Sequence, residues 1–96
     1  MLENEFQKQV IEVAKYLGWK VFHDYDSRRN ESGFPDLVLI HPKRGRLLFR
    51  ELKKADGRVR PEQKDWLLWL SNAGEDAGVW RPSDMDSGRI QRELQR

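Results

Sequence analysis

The stretch from Gly33 to Lys54, GFPDLVLIHPKRGRLLFRELKK, constrains this chain more than any other. Residues 36–41 form a short apolar run entered through Gly-Phe-Pro, which reads as a strand that follows a turn. Residues 46–53 read as a second strand, and Pro42-Lys43-Arg44-Gly45 between them is a hairpin loop of ordinary length. Strand side chains alternate between faces, so Asp36, Val38 and Ile40 share a face of the first strand. Leu47, Phe49, Glu51 and Lys53 share a face of the second. Pairing His41 with Arg46 across the loop sets Ile40 against Leu47, Val38 against Phe49 and Asp36 against Glu51. One face of the hairpin is then apolar near the loop and carries two opposed carboxylates at its far end.

Opposed residues hold their Cβ atoms roughly 4.5–5.5 Å apart, and like charges at that separation are destabilising. The pair needs a cation. Lys53, two residues beyond Glu51 on the same face, supplies part of it. A hard divalent ion such as Mg²⁺, which takes oxygen ligands, supplies the rest. The hairpin alone therefore predicts a metal site beside a lysine.

The charge around this site is uneven although the net charge is only +2. Residues 43–60 hold Lys43, Arg44, Arg46, Arg50, Lys53, Lys54, Arg58 and Arg60 against Glu51 and Asp56. A cluster of that sign suits a polyanion such as DNA, where phosphate contacts supply most of the non-specific affinity. A solvated basic surface is the plain alternative, and the adjoining carboxylate pair favours nucleic acid. Arg28 and Arg29 lie in the polar loop that leads into Pro35-Asp36, which makes them candidate phosphate contacts with Lys54, Arg58 and Arg60. His23 is a candidate metal or phosphate ligand, although a lone histidine near a strand end is more often structural.

The rest of the chain reads as the frame for this hairpin. Residues 3–17 predict a helix with Phe6, Val10, Val13, Ala14 and Leu17 in one stripe, stopped at Gly18. Glu5, Gln9 and Glu12 lie on its adjoining face, where packing on the hairpin would aim Glu5 and Gln9 at the carboxylate end. Residues 19–24 predict a strand. Pro61 opens a helix with Glu62 and Gln63 in its first turn, ending at Gly74. Residues 76–81 predict the last strand. A capping-box-like start at Ser83 then opens a short terminal helix over 84–95, interrupted by Gly88 and buried by Trp80, Ile90 and Leu94. The order is α-β-β-β-α-β-α, an α/β chain with a mixed central sheet flanked by helices.

Ninety-six residues predict one domain over 1–96. The absence of cysteine excludes disulfides, thiolate catalysis and cysteine-held zinc. No run of eighteen apolar residues exists to span a membrane, and the polar, acidic start MLENEFQKQV shows no secretory leader. An intracellular setting follows as the expectation. Trp66-Leu67-Leu68-Trp69-Leu70 sweeps around its whole helix, so something besides the hairpin must cover part of it. A second subunit is one candidate and the C-terminal segment is the other.

Pro35-Asp36 followed by Glu51-Leu52-Lys53 matches the PD…ExK pattern of the PD-(D/E)xK nucleases. With GFPDLVLI, the downstream Pro61-Glu62-Gln63 and the Trp-Leu…Asn-Ala-Gly ending, the chain more narrowly resembles the VRR-NUC domains, from about Glu5 to its end. The resemblance implies a restriction-endonuclease-like core in which Asp36, Glu51 and the Leu52 backbone carbonyl hold Mg²⁺ or Mn²⁺. It implies that Lys53 helps to deprotonate or position the attacking water, and that Gln63 stands close to the metal and the lysine. It also implies a further acidic residue from the first helix, with Glu5 ranked ahead of Glu12. Stand-alone members resemble dimeric junction resolvases. This implies a homodimer through the Trp66–Leu70 region that cuts branched DNA such as four-way junctions, in a phage-infected or bacterial cell. Three alternatives stay open: a nickase or general endonuclease on duplex or single-stranded DNA, a DNA-binding module without catalysis, and a protein-interaction adaptor built on the tryptophan-rich helix.

Overall fold

The computed structural model of the chain describes residues 2–23 and 32–96. The loop that carries Arg28 and Arg29 lies outside the described residues. Helix α1 (Glu3–Tyr16) leads into strand β1 (Lys20–His23), and β2 (Leu37–His41) and β3 (Arg46–Leu52) form the hairpin. Helix α2 (Pro61–Asn72) crosses over to β4 (Asp76–Trp80), and two short helices, α3 (Pro82–Asp86) and α4 (Arg89–Gln95), close the described chain.

The strands form one sheet in the order β1-β2-β3-β4, with the first three antiparallel and β4 parallel to β3. The parallel pair needs a crossover, and α2 supplies it. The hairpin register is the one its sequence dictates. His41 pairs with Arg46, Ile40 with Leu47 and Val38 with Phe49. A shift of one residue would turn every apolar side chain to the wrong face, which is why patterning alone fixes the pairing.

The two faces of the sheet differ. Leu37, Leu39, Leu48 and Leu52 point to the face covered by α1 and α4, where they are buried with Phe6, Val10, Ala14, Ile90 and Leu94. The other face carries Val38, Ile40, Leu47 and Phe49 and is only partly covered. Helix α2 borders it through edge-to-face contacts that run from Phe49 to Phe34 and on to Trp66, with ring centroids 6.2 and 5.2 Å apart.

The C-terminus is tied down by polar groups that the sequence left among the solvated residues. The Trp19 indole N–H donates to the Leu94 carbonyl at 2.9 Å, and Arg46 donates to the Glu93 carbonyl at 2.7 Å. Arg50 is buried in mid-strand, where it pairs with Asp76 at 2.7 Å and Glu93 at 2.9 Å and lies over the Trp80 ring. Arg46 and Arg50 are thus structural and do not belong to a basic surface around the hairpin. Burial alone would raise the Glu93 pKa, but hydrogen bonds from Trp80, Arg50 and Arg89 outweigh it and hold the carboxyl below its usual range.

The terminal helix is interrupted at Gly88, as expected, which leaves two short helices, α3 and α4. The helix starts two residues before the expected residue 84, because Pro82 takes the first helical position and Asp84 accepts the Arg81 backbone N–H at 2.8 Å. Because α4 packs into the α1 core, the C-terminal segment does not cover the tryptophan-rich helix. Leu68 and Trp69 stay 57% and 56% exposed. No helix among the described residues is long and apolar enough to cross a membrane.

Candidate metal-dependent active site

Two adjacent strand ends build the site. Asp36 immediately precedes β2, and continuing the register beyond Leu37–Arg50 sets it opposite Glu51. Its Oδ2 accepts the Leu52 backbone N–H at 2.9 Å, which fixes the carboxylate at the end of β3. Glu51 is only 2% exposed. Its Oε2 accepts a hydrogen bond from the Gln63 side-chain amide at 2.9 Å and stands 3.5 Å from the Lys53 Nζ. Its Oε1 is buried and meets no donor among the described residues.

Gln63 reaches Glu51 because α2 starts where it does. In the first turn of that helix its Oε1 accepts the Arg60 backbone N–H at 2.8 Å. That bond satisfies a donor beside the helix start and leaves the amide nitrogen to face Glu51. Gln63 is 6% exposed, so it is no solvated first-turn residue. The approach also depends on Gly33. With φ at +90°, a Cβ on Gly33 would come within 2.6 Å of the Glu62 carbonyl carbon and oxygen. Glycine is what lets the loop before Pro35-Asp36 lie against the start of α2. The sequence offered the glycine as a strand entry but gave no sign of what it touches.

The electrostatics follow from burial. Desolvation, then the adjacent charge of Asp36 and the hydrogen bond between the two carboxyls, push the Glu51 pKa up to about 8, with Lys53 pulling the other way. A buried glutamate with one undonated oxygen, facing a second carboxyl group, is a set of hard ligands short of positive charge. A divalent cation that prefers oxygen fits that set.

The other expected residues divide in two. Lys54, Arg58 and Arg60 are exposed on the segment that joins the site to α2. Glu5 and Glu12 are exposed on α1, whose apolar stripe packs on the opposite face of the sheet. No third carboxylate, histidine or cysteine among the described residues joins Asp36 and Glu51 in a cluster that would hold a metal. His23 lies near α1 as well, with its Nδ1 3.2 Å from the Gln7 amide nitrogen.

A mixed four-stranded sheet flanked by helices, with two carboxylates and a lysine where neighbouring strands end, defines a restriction-endonuclease-like nuclease fold. The model of the VRR-NUC domain family matches residues 3–84, and the chain belongs to that family. Among solved structures, a VRR_NUC domain is similar at 27% identity and a TM-score of 0.73, over 90% of this chain and 91% of that one. A VRR_NUC domain protein is similar at 23% identity and a TM-score of 0.73, over 99% of this chain and 89% of that one. Hjc, a Holliday junction resolvase from the archaeal hyperthermophile Archaeoglobus fulgidus, shares the fold at 15% identity and a TM-score of 0.58, over 81% and 67% of the two chains. The comparison with curated proteins returned no match.

Proposed function

We propose that this chain is a divalent-metal-dependent endonuclease that hydrolyses phosphodiester bonds of branched DNA, such as four-way junctions, as a homodimer. One observation carries the reading. The buried Glu51 carboxylate faces Asp36, keeps one oxygen without a donor and has Lys53 3.5 Å from the other. Asp36, Glu51 and the Leu52 carbonyl would hold Mg²⁺ or Mn²⁺. When bound, such an ion neutralises charge on the phosphate and makes water a better nucleophile.

The chain's own residues do the rest. Gln63 fixes the direction of the Glu51 carboxylate through its amide. Lys53 presents an ammonium group beside the carboxylates, where it orients the attacking water or stabilises the developing charge. Lys54, Arg58 and Arg60 supply exposed positive charge along the approach of a phosphate backbone. The branched substrate is supported by the fold shared with a protein described as a Holliday junction resolvase. The dimer is supported by the exposed Leu68 and Trp69 on α2 and by Phe22 and Ile40 on the open sheet face. Two copies would offer two such sites to opposite strands of a junction.

The test is cleavage of an end-labelled four-way junction beside a matched duplex and single strand. It is run with Mg²⁺, Mn²⁺ and EDTA, with Glu51→Gln as control. Paired nicks on the junction alone, lost in EDTA and in the variant, are expected. Cutting of every substrate would retain the chemistry and replace the junction with general endonuclease or nickase activity. Binding without cutting would favour a non-catalytic DNA-binding module.

A further inference from the structure

Lys53 directly follows β3, carries a flexible stem and is followed by an exposed turn, so something must hold its amine near the carboxylates. Two consecutive residues from the end of β4 do this. The Trp80 carbonyl accepts the Lys53 backbone N–H at 3.1 Å. Arg81 then reaches over the turn that follows. Its Nη1 lies 2.8 Å from the Lys54 carbonyl, 2.8 Å from the Gly57 carbonyl and 3.5 Å from that of Ala55.

The rest of the turn has little to order it. The Gly57 N–H returns to the Lys54 carbonyl at 3.0 Å. The Lys54–Asp56 ion pair is exposed and 3.9 Å long, and such pairs contribute little. Charge-assisted bonds from one guanidinium to several carbonyls are the strongest contacts available here. Arg81 is itself fixed, since its backbone N–H is held by Asp84 at 2.8 Å where α3 begins.

What the turn holds is the lysine. A Cβ built on Gly57 would lie 3.5 Å from the Lys53 Cδ and 3.3 Å from the Lys54 Cγ, so the Lys53 stem runs across the bare face of the glycine. From there its Nζ stands 3.5 Å from Glu51 Oε2. We infer that Arg81 is a positioning residue: it clamps the turn at residues 54–57 against which the Lys53 side chain is laid. The inference rests on the nuclease reading, in which Lys53 acts on the water. Misplacing a reacting group by about 1 Å costs up to about 100-fold in rate, which sets the expected effect.

The test compares wild type, Arg81→Met and Gly57→Val. The Met variant removes the clamp, while the Val variant keeps every charge and crowds the stem. Two readouts are combined. The first is the nuclear Overhauser contact between the Lys53 side chain and the Gly57 Hα, read without DNA or metal. The second is single-turnover cleavage rate beside DNA and Mn²⁺ affinity. Arg81→Met is expected to lose the contact, and both variants are expected to cleave about 10- to 100-fold more slowly, with both affinities within about 2-fold of wild type. A contact that persists in Arg81→Met overturns the inference, and so does a lost contact with an unchanged rate. Weaker DNA binding at an unchanged rate would make Arg81 a phosphate contact instead. A wild-type protein that cuts nothing would fail the nuclease reading alone, because the Overhauser contact still decides whether Arg81 holds Lys53.

Discussion

Glu51 lies near the end of β3 and Lys53 directly after it, with their charged groups 3.5 Å apart, and their roles separate by substitution. Lys53→Met removes the ammonium and keeps a similar stem. It is expected to leave metal and DNA affinity near wild type while lowering cleavage at least about 100-fold, the lower end of the range for a general acid-base group. Near-wild-type cleavage by that variant would remove Lys53 from the chemistry. Glu51 makes a prediction about pH. Burial and the adjacent Asp36 push its pKa up to about 8 in the folded protein, against an ordinary carboxyl value of 4.5. The stability it contributes is fully present below about 4.5 and is lost as pH rises towards 8, because the unfolded chain ionises first. A bound cation must displace that proton, so Mn²⁺ affinity should rise with pH up to about 8, by as much as about tenfold per unit. Calorimetric titrations at several pH values check this, and an affinity independent of pH would mean that Glu51 is not a ligand.

Among the elements, the approach of α2 to the strand ends matters most. Gly33→Ala puts a methyl group into the Glu62 backbone at a positive φ. The left-handed strain and the overpacking together are expected to cost about 2–4 kcal/mol, read as a fall in Tm of roughly 10 °C or more. A variant with the wild-type Tm would show that the loop and the helix start can separate freely. The hairpin was legible in the sequence down to its register, because Val38, Ile40, Leu47 and Phe49 alternate with buried leucines and only one pairing keeps both sets in place. Gln63 was legible as a first-turn residue, yet its hold on Glu51 depends on where α2 lies. The same limit applies to Arg81, whose partners are separated from it by more than twenty residues.

At the scale of the whole molecule, the open sheet face and α2 leave Phe22, Ile40, Leu68 and Trp69 exposed. If a second copy covers α2, Trp69→Arg should shift the protein from dimer to monomer in sedimentation at micromolar concentration. It should also abolish paired nicking while leaving single nicks. A monomeric wild type would turn the proposed activity towards one-strand cleavage. The sequence by itself determined the strands, the hairpin register and the two opposed carboxylates, because strand alternation and like-charge proximity act over a few neighbouring residues. Only the tertiary structure decided which face of the sheet α1 takes. The same packing set Arg50 in a buried network with Glu93, left the tryptophan-rich helix uncovered and brought Arg81 to the lysine turn. Each of these follows from how elements far apart in the chain bury their apolar faces, and no local pattern of residues encodes that choice.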